Sequence, residues 1–205
     1  MSEELGELVP TVKRRVQRGG VELRGAREVL WKICATSRLA ETVRVRIGRF
    51  EARDFRALEA GLNRVPWAAY LARDAAVTVK VTARKSALYH SGAVSDRVIR
   101  ALDRPSSPPE EGGTRLWVRL VKDRVTISVD AGGGLLHRRG WRQSVVRAPL
   151  RETLAAACVR LAALAPTQAV WDPFCGSGTI PIEAALCRAG GPAQGGRRYA
   201  FEGWP

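Results

Sequence analysis

The chain has 205 residues, of which 45% are hydrophobic and 26% are charged, and this composition excludes an intrinsically disordered protein. Its 34 basic residues against 20 acidic ones give a formal net charge of +14, which favours a polyanionic partner such as nucleic acid. The first ten residues lack the basic and apolar regions of a signal peptide, and the most apolar segment is too short to span a bilayer. We therefore expect a cytoplasmic protein that does not contact a membrane.

Over the first 130 residues, hydrophobic residues recur with the period of a strand in some segments and of a helix in others. The pattern predicts strands in residues 19–25, 42–50 and 76–85, helices in 26–38, 54–64 and 91–103, and a hairpin in 114–130 that turns at the sequence KDR. Arginines fill the polar positions of the strand in 42–50, so its outer face is basic. This order of elements predicts an α+β or α/β sandwich with helices on one side of a sheet.

Residues 136–151, LHRRGWRQSVVRAPLR, contain five arginines, one tryptophan and no acid. By position this basic segment is a linker between two domains. It is either a solvated linker or a strip that follows a phosphate backbone and stacks on a base. On charge and stacking grounds, the candidate nucleic-acid contacts are Arg138, Arg139, Trp141 and Arg142.

A second candidate site lies where the apolar run QAVW meets the helical sequence TIPIEAALC. We expect the run to be a strand that ends near Asp172 and the helix to carry Pro181 in its first turn. The glycines between them would leave room for a ligand at the helix N-terminus. Such a corner of strand, glycine loop and helix is typical of ligand sites in doubly wound α/β domains.

The residues of this loop argue against a phosphate ligand. A P-loop requires a lysine that is absent here, and the third glycine of a dinucleotide fingerprint is replaced by Pro181. Asp172 would repel a pyrophosphate but suits a cationic ligand. S-adenosylmethionine is such a ligand, because it carries a sulfonium and an ammonium group and no phosphate.

The segment DPFCGSGTIPIEAA, residues 172–185, resembles the first motif of the THUMP-containing RNA methyltransferases. The closest resemblance is to the bacterial enzymes that methylate the exocyclic amine of guanine in large-subunit ribosomal RNA. Residues 77–102 and 116–142 resemble the THUMP domain and its exit, and APLRETLAAA resembles the helix that leads into the catalytic domain. The resemblance covers the chain from about Gly19 to Pro205.

This resemblance implies an α+β ferredoxin-like and THUMP region followed by the start of an α/β Rossmann-like methyltransferase domain. It implies a partial ferredoxin-like region in 1–60, a THUMP RNA-binding domain in 61–137, a basic linker in 138–150 and the first part of the methyltransferase domain in 151–205. It also implies S-adenosylmethionine as cofactor and RNA as partner, with ribosomal RNA favoured and transfer RNA as the alternative. The residues implied to line the cofactor are Asp172, Phe174, Cys175, Gly176, Ser177, Gly178 and Thr179.

Three further expectations concern single residue types. Glu183, near the start of the predicted helix, is expected to cap that helix rather than face the ligand. The four cysteines and two histidines have no metal-binding spacing, so no metal site is expected. Cys175 and Cys187 are interpreted as small packing residues rather than nucleophiles.

The family's second motif, an Asn or Asp followed by two prolines and an aromatic residue, does not occur in the 205 residues. Because that motif holds the target amine, we expect this polypeptide alone to be inactive in methyl transfer, and we expect it to be a fragment. The alternative is a non-catalytic RNA-binding module. Thiouridine synthases also carry THUMP domains, but they would have an ATP-binding motif in place of DPFCGSGT.

Overall fold

The computed structural model describes residues 1–73, 75–102, 114–141, 149–165 and 167–205. In chain order its elements are α1 (Ser2–Leu8), β1 (Arg14–Gln17), β2 (Gly20–Leu23), α2 (Arg27–Thr36), β3 (Arg44–Glu51), α3 (Phe55–Leu62), β4 (Val77–Arg84), α4 (Ser91–Leu102), β5 (Thr114–Val121), β6 (Arg124–Asp130), α5 (Glu152–Leu161) and α6 (Thr179–Ala189). Short 3₁₀ turns lie at Trp67–Ala69 and Ala200–Gly203. None of the helices in these ranges is long and apolar enough to cross a bilayer.

The chain forms two compact units, each assembled from two stretches of sequence. The helical unit consists of Met1–Val43 and Leu135–Arg197, and the sheet unit consists of Arg44–Gly134 and Arg198–Pro205. The predicted domains were consecutive ranges of the chain, whereas each unit combines two separate stretches. The N-terminal residues fold together with the segment that follows position 134.

The sheet unit is built on four strands in the order β3-β6-β5-β4. β4 and β5 are parallel and are connected through α4, whereas β6 is antiparallel to both β5 and β3. Helices α3 and α4 pack on one face of the sheet, and the core between them is apolar. It includes Leu58, Leu62, Val94, Val98, Leu116, Val118, Leu120, Val125 and Ile127. The predicted strands, helices and hairpin of this region are confirmed.

Local sequence accounts for the ends of several of these elements. The Asp54 side chain accepts a hydrogen bond from the Ala57 N–H at 2.7 Å and so caps α3. The β5–β6 hairpin turns through Lys122 and Asp123, whose φ angles of 51° and 61° suit a two-residue turn. In β3 the register shifts between Arg46 and Gly48, so a bulge re-aims the strand against β6.

The helical unit contains a small hairpin of β1 and β2, the helices α1 and α2, and the pair α5 and α6. Its first apolar cluster brings together Leu5 and Val9 from the N-terminal segment and Ile33 from α2. The sequence patterns predicted α2 and β2, but we did not predict α1 or β1.

The expected strand at residues 168–171 is not a strand in the described structure. A strand needs a hydrogen-bonded neighbour, and none of the described residues pairs with this segment. The helix that should follow the loop is present as α6, with Pro181 at its third position, where the missing N–H costs no helical hydrogen bond.

Candidate functional site: the glycine loop and the basic segment

The loop of residues Asp172–Thr179, called the glycine loop below, turns sharply into α6. Gly176 and Gly178 adopt left-handed φ angles of 55° and 75°, and Gly178 is the N-cap of the helix. The Gly178 N–H donates to the Cys175 carbonyl at 2.8 Å, which closes the turn. The backbone conformation favours glycine at both positions, because a residue with a Cβ adopts these angles at a cost of about 1 kcal/mol or more.

The side chains of the glycine loop differ widely in exposure. Asp172 is half-buried, and one of its carboxylate oxygens accepts the Phe174 N–H at 3.1 Å. Phe174 is 93% exposed, and Cys175 is also exposed, so the expectation that Cys175 is a packing residue does not agree with its position. Thr179 is buried, and its hydroxyl lies 3.4 Å from that of Ser177.

The residues of this loop fit a small cationic ligand better than a phosphate. A Cβ built on Gly176 meets nothing within 4 Å, so the outer side of the turn is open to an approaching molecule. The charged side chain within the loop is that of Asp172, whose carboxylate attracts a cation and repels a phosphate. The exposed ring of Phe174 supplies an apolar surface for a flat group.

Glu183 lies one turn into α6 and is fully buried. Its two carboxylate oxygens lie 3.1 Å from Arg139 Nε and 3.5 Å from Arg38 Nη1. Arg139 also donates to the Arg38 carbonyl at 2.8 Å, and Arg38 donates to the Leu186 carbonyl of α6 at 2.9 Å. Glu183 therefore does not act as the expected helix cap. It ties α6, and with it the glycine loop, to two other segments of the helical unit.

Burial dominates the titration of this ion-pair cluster. It raises the pKa of Glu183 above its usual range, and the neighbouring Arg139 and Arg38 oppose that rise. Burial lowers the pKa of Arg139, and Glu183 opposes that change. Each charge is therefore stabilised mainly by its partners rather than by water.

A second carboxylate, that of Glu4, binds the backbone and side chain of the residues around Arg38. Glu4 of α1 is buried and accepts hydrogen bonds from the Arg38 N–H at 2.6 Å and from the Ser37 hydroxyl at 2.9 Å. Hydrogen bonds and ion pairs thus connect α1 to α6 through Arg38. No sequence pattern indicated it, since acids and arginines distant along the chain meet only in the folded unit.

Among the described residues of the basic segment, two arginines, Arg138 and Arg151, are exposed and one, Arg139, is buried. Arg138 is exposed and Trp141 is half-buried. Arg139 has a side chain only 1% exposed, and its guanidinium is paired with Glu183. This burial is incompatible with the expected nucleic-acid contact by Arg139, which is a structural residue here. Arg142 lies outside the described residues.

No metal site is evident in the described ranges, where no three His, Cys, Asp or Glu side chains come together. His137 of the basic segment approaches Glu41, with Nδ1 3.5 Å from the carboxylate. Burial nevertheless lowers the pKa of His137, which favours its neutral form near neutral pH.

Two family models match the chain. Residues 52–130 match the THUMP domain, and residues 139–202 match the UPF0020 model, described as an RMKL-like methyltransferase domain. The second match begins in the basic segment and includes the whole glycine loop and α6.

Curated relatives align with most of the chain. The chain is 38% identical over 201 residues to the ribosomal RNA large subunit methyltransferase K/L of Syntrophotalea carbinolica, and 34% identical over 201 residues to that of Methylococcus capsulatus. Each alignment covers 91% of this chain but only 28% and 27% of the relative. The chain therefore spans little more than a quarter of the length of these relatives.

Solved structures match almost the whole length of the chain. A protein of Listeria monocytogenes, described as a predicted N6-adenine-specific DNA methylase, matches with a TM-score of 0.86 and 32% identity over 98% of this chain. The protein SMU.472, solved in complex with SAH, matches with a TM-score of 0.84 and 30% identity, also over 98% of this chain. The chain covers 55% and 56% of these two structures. The chain therefore contains a THUMP domain in residues 52–130, followed in residues 139–202 by a segment that matches an RMKL-like methyltransferase domain.

Proposed function

We propose that the protein to which this chain belongs transfers a methyl group from S-adenosylmethionine to ribosomal RNA. The observation that carries the proposal is the glycine loop, in which Asp172 and two left-handed glycines precede α6. The same segment lies inside the match to the RMKL-like methyltransferase model. The target we favour is the exocyclic amine of a guanine, which rests on the resemblance of the first motif alone.

In this proposal the glycine loop holds the cofactor, which supplies a methyl group bonded to a positively charged sulfur. Asp172 offers its carboxylate to the cationic part of the molecule, and the turn at Gly176 and Gly178 allows close approach of the backbone. Phe174, Cys175, Ser177 and Thr179 complete the set of cofactor-lining residues. The complex of SMU.472 with SAH supports this assignment, because SAH is S-adenosylmethionine without its transferable methyl group.

In this proposal the buried cluster around Glu183 positions the glycine loop and does not itself contact the cofactor. It fixes α6 through Arg139 and Arg38, and the glycine loop is the direct N-terminal continuation of α6. Methyl transfer to an amine depends on holding donor and acceptor in line, so a fixed loop is a direct contribution to rate.

RNA is the proposed substrate because three observations agree. The net charge is +14, residues 52–130 match a THUMP domain, and the curated relatives are named for ribosomal RNA. Among the candidate contacts of the basic segment, we retain Arg138, Trp141 and Arg142 and omit the buried Arg139. Transfer RNA is the competing substrate, and a binding assay that includes both RNAs distinguishes the two.

Calorimetric titration of S-adenosylmethionine and of SAH into the 205-residue chain tests the cofactor assignment. We expect heat of binding for both molecules and its loss in Asp172→Asn, which removes the charge at constant size. Asp96→Asn is the matched control, because Asp96 lies exposed on α4 in the other unit. Unchanged binding in Asp172→Asn would remove Asp172 from the site.

The alternative is a non-catalytic RNA-binding module, and the same preparation separates it from the proposal. RNA binding that falls with salt, together with no heat of binding for either cofactor, would leave only the module. Cofactor binding together with RNA binding supports the methyltransferase.

A further inference from the structure

The sheet of the THUMP-matching unit has one face packed by α3 and α4 and a second face that carries arginine, lysine, serine and threonine. Its side chains form rows across the four strands, because each register pair places neighbours side by side. One row runs Arg46, Ser128, Trp117, Lys80. The next runs Arg49, Thr126, Arg119, Thr82.

Basic residues dominate this polar face. Arg46, Arg49, Lys80, Arg84 and Arg119 are all exposed on it. They come from three different strands, so their charges cover the width of the sheet rather than a single edge. Neighbouring strands lie about 4.8 Å apart, which brings these cations within reach of one extended ligand.

The two acids on the polar face do not cancel this charge. Glu51 lies 3.7 Å from Arg124 and is therefore already paired. Asp130 is buried, and its carboxylate accepts hydrogen bonds from the Gly132 and Gly134 N–H groups. The face therefore retains a positive potential that favours an anionic partner.

A tryptophan occupies the centre of the polar face. Trp117 is half-buried on the strand β5, between Lys80 of β4 and Ser128 of β6. The guanidinium of Arg44 lies 3.8 Å from the centroid of its ring and so stacks on it. An aromatic ring held in place among cations and hydroxyl groups is the combination that binds unpaired bases and their phosphates.

We propose that this polar face of the sheet β3-β6-β5-β4 binds a single-stranded segment of RNA, with a base stacked beside Trp117 and phosphates on Lys80 and Arg119. The inference rests on the proposed function, since it takes RNA as the substrate, and it assigns an RNA-binding surface separate from the basic segment. A duplex would meet the charges but would not offer a base to the ring, because its bases are stacked within the helix. The chemistry therefore favours a loop, a bulge or an end of the RNA.

The test is binding of a labelled single-stranded RNA of about 12 nucleotides, a length within the range that one such surface covers. We expect the double variant Lys80→Glu/Arg119→Glu to weaken binding by about tenfold or more. It should also reduce the slope of log affinity against log salt by about 1.4, because each phosphate contact on a single strand contributes about 0.7. Trp117→Leu should weaken binding by about tenfold at unchanged slope, and Trp117→Phe should restore most of it.

The matched control is Arg56→Glu/Arg100→Glu, an identical charge change at exposed positions of α3 and α4 on the other side of the sheet. We expect this variant to bind at least fivefold more tightly than the sheet-face variant. Melting temperatures of all variants establish that each remains folded.

Equal losses in the two double variants, no effect of Trp117→Leu, or a duplex that binds as tightly as the single strand would each overturn the inference. Absence of RNA binding by the unchanged chain would overturn it as well. These outcomes can be distinguished from a failed cofactor titration. Absence of cofactor binding would contradict the proposed methyl transfer but would not bear on RNA binding by the sheet face.

Discussion

At the scale of single residues, Glu183 shows how one buried carboxylate can position a binding loop. It forms ion pairs with two guanidinium groups of the helical unit, Arg139 at 3.1 Å and Arg38 at 3.5 Å. Removing one partner of a buried ion pair leaves the other charge without compensation, which costs about 3–5 kcal/mol. We therefore expect Glu183→Gln to lower the free energy of unfolding by that amount, measured by urea denaturation.

The control for this prediction is Glu28→Gln, at an exposed position of α2 in the same unit. Its free energy of unfolding should stay within about 0.5 kcal/mol of the unchanged chain. Hydrogen exchange across Thr179–Ala189 should then locate the loss caused by Glu183→Gln in α6. A Glu183→Gln variant as stable as the control would mean that the cluster does not hold this helix.

For two helical glycines in the sheet unit, we predict opposite changes in stability on substitution by alanine. A Cβ on Gly61 of α3 would lie 2.2 Å from the ring of Phe50, whereas a Cβ on Gly92 of α4 meets nothing within 4 Å. Alanine favours a helix by about 1 kcal/mol over glycine, but overpacking costs about 1–3 kcal/mol or more.

We therefore expect Gly61→Ala to lower the melting temperature of the sheet unit and Gly92→Ala to leave it unchanged or raise it. Calorimetry on the two variants makes the comparison, and Phe50→Leu in the Gly61→Ala background should restore part of the loss. Equal behaviour of the two glycine variants would contradict the close contact between α3 and Phe50.

At the scale of elements, the β5–β6 hairpin combines a strained turn with a hydrogen-bonding carboxylate. Lys122 and Asp123 both have positive φ, which costs a residue other than glycine about 1 kcal/mol. The Asp123 carboxylate accepts the Ala87 N–H at 2.8 Å, and the Asp123 N–H donates to the Ser86 hydroxyl at 3.0 Å. The turn thus also anchors the segment that follows β4.

Glycine substitutions separate these two effects. Lys122→Gly relieves the strain and should leave stability unchanged or raise it by up to about 1 kcal/mol. Asp123→Gly relieves the same strain but loses the carboxylate, so we expect a net loss of about 1 kcal/mol. Urea denaturation of the two variants side by side measures the difference, and an Asp123→Gly variant as stable as Lys122→Gly would show that the carboxylate contributes nothing.

The elements that could be predicted from sequence are those whose pattern is local. Strands β3 to β6 alternate apolar and polar residues, and the two-residue turn follows from the break in that alternation. Residues 168–171 were wrongly expected to be a buried strand. The run is largely exposed, with Trp171 86% exposed, and the described residues provide no neighbouring strand to pair with it.

The candidate site was predictable to a similar extent. The glycine loop and the start of α6 follow from glycines and an acid at fixed spacing, and their left-handed φ angles agree with that pattern. Arg138 and Arg139 are adjacent and chemically identical, yet one is exposed and the other is buried against Glu183. That difference depends on a carboxylate 44 positions away, which no property of the basic segment indicates.

At the scale of the whole molecule, the net charge of +14 should affect the binding of the two proposed ligands differently. RNA is a polyanion, and its binding releases counterions in proportion to the phosphates that are contacted. S-adenosylmethionine carries a net charge of about one and binds in a small loop, so salt screening affects it weakly. The two equilibria should therefore respond differently to ionic strength in the same protein.

With about three or more phosphate contacts, raising salt from ~50 to ~200 mM should weaken RNA binding by more than about tenfold. Cofactor binding should change by less than about threefold over the same range. Fluorescence anisotropy with labelled RNA and calorimetry with S-adenosylmethionine measure the two responses. If RNA binding were insensitive to salt, the basic surfaces would not carry it, and if cofactor binding fell in parallel with RNA binding, the cofactor would be held by general electrostatic attraction rather than by the glycine loop.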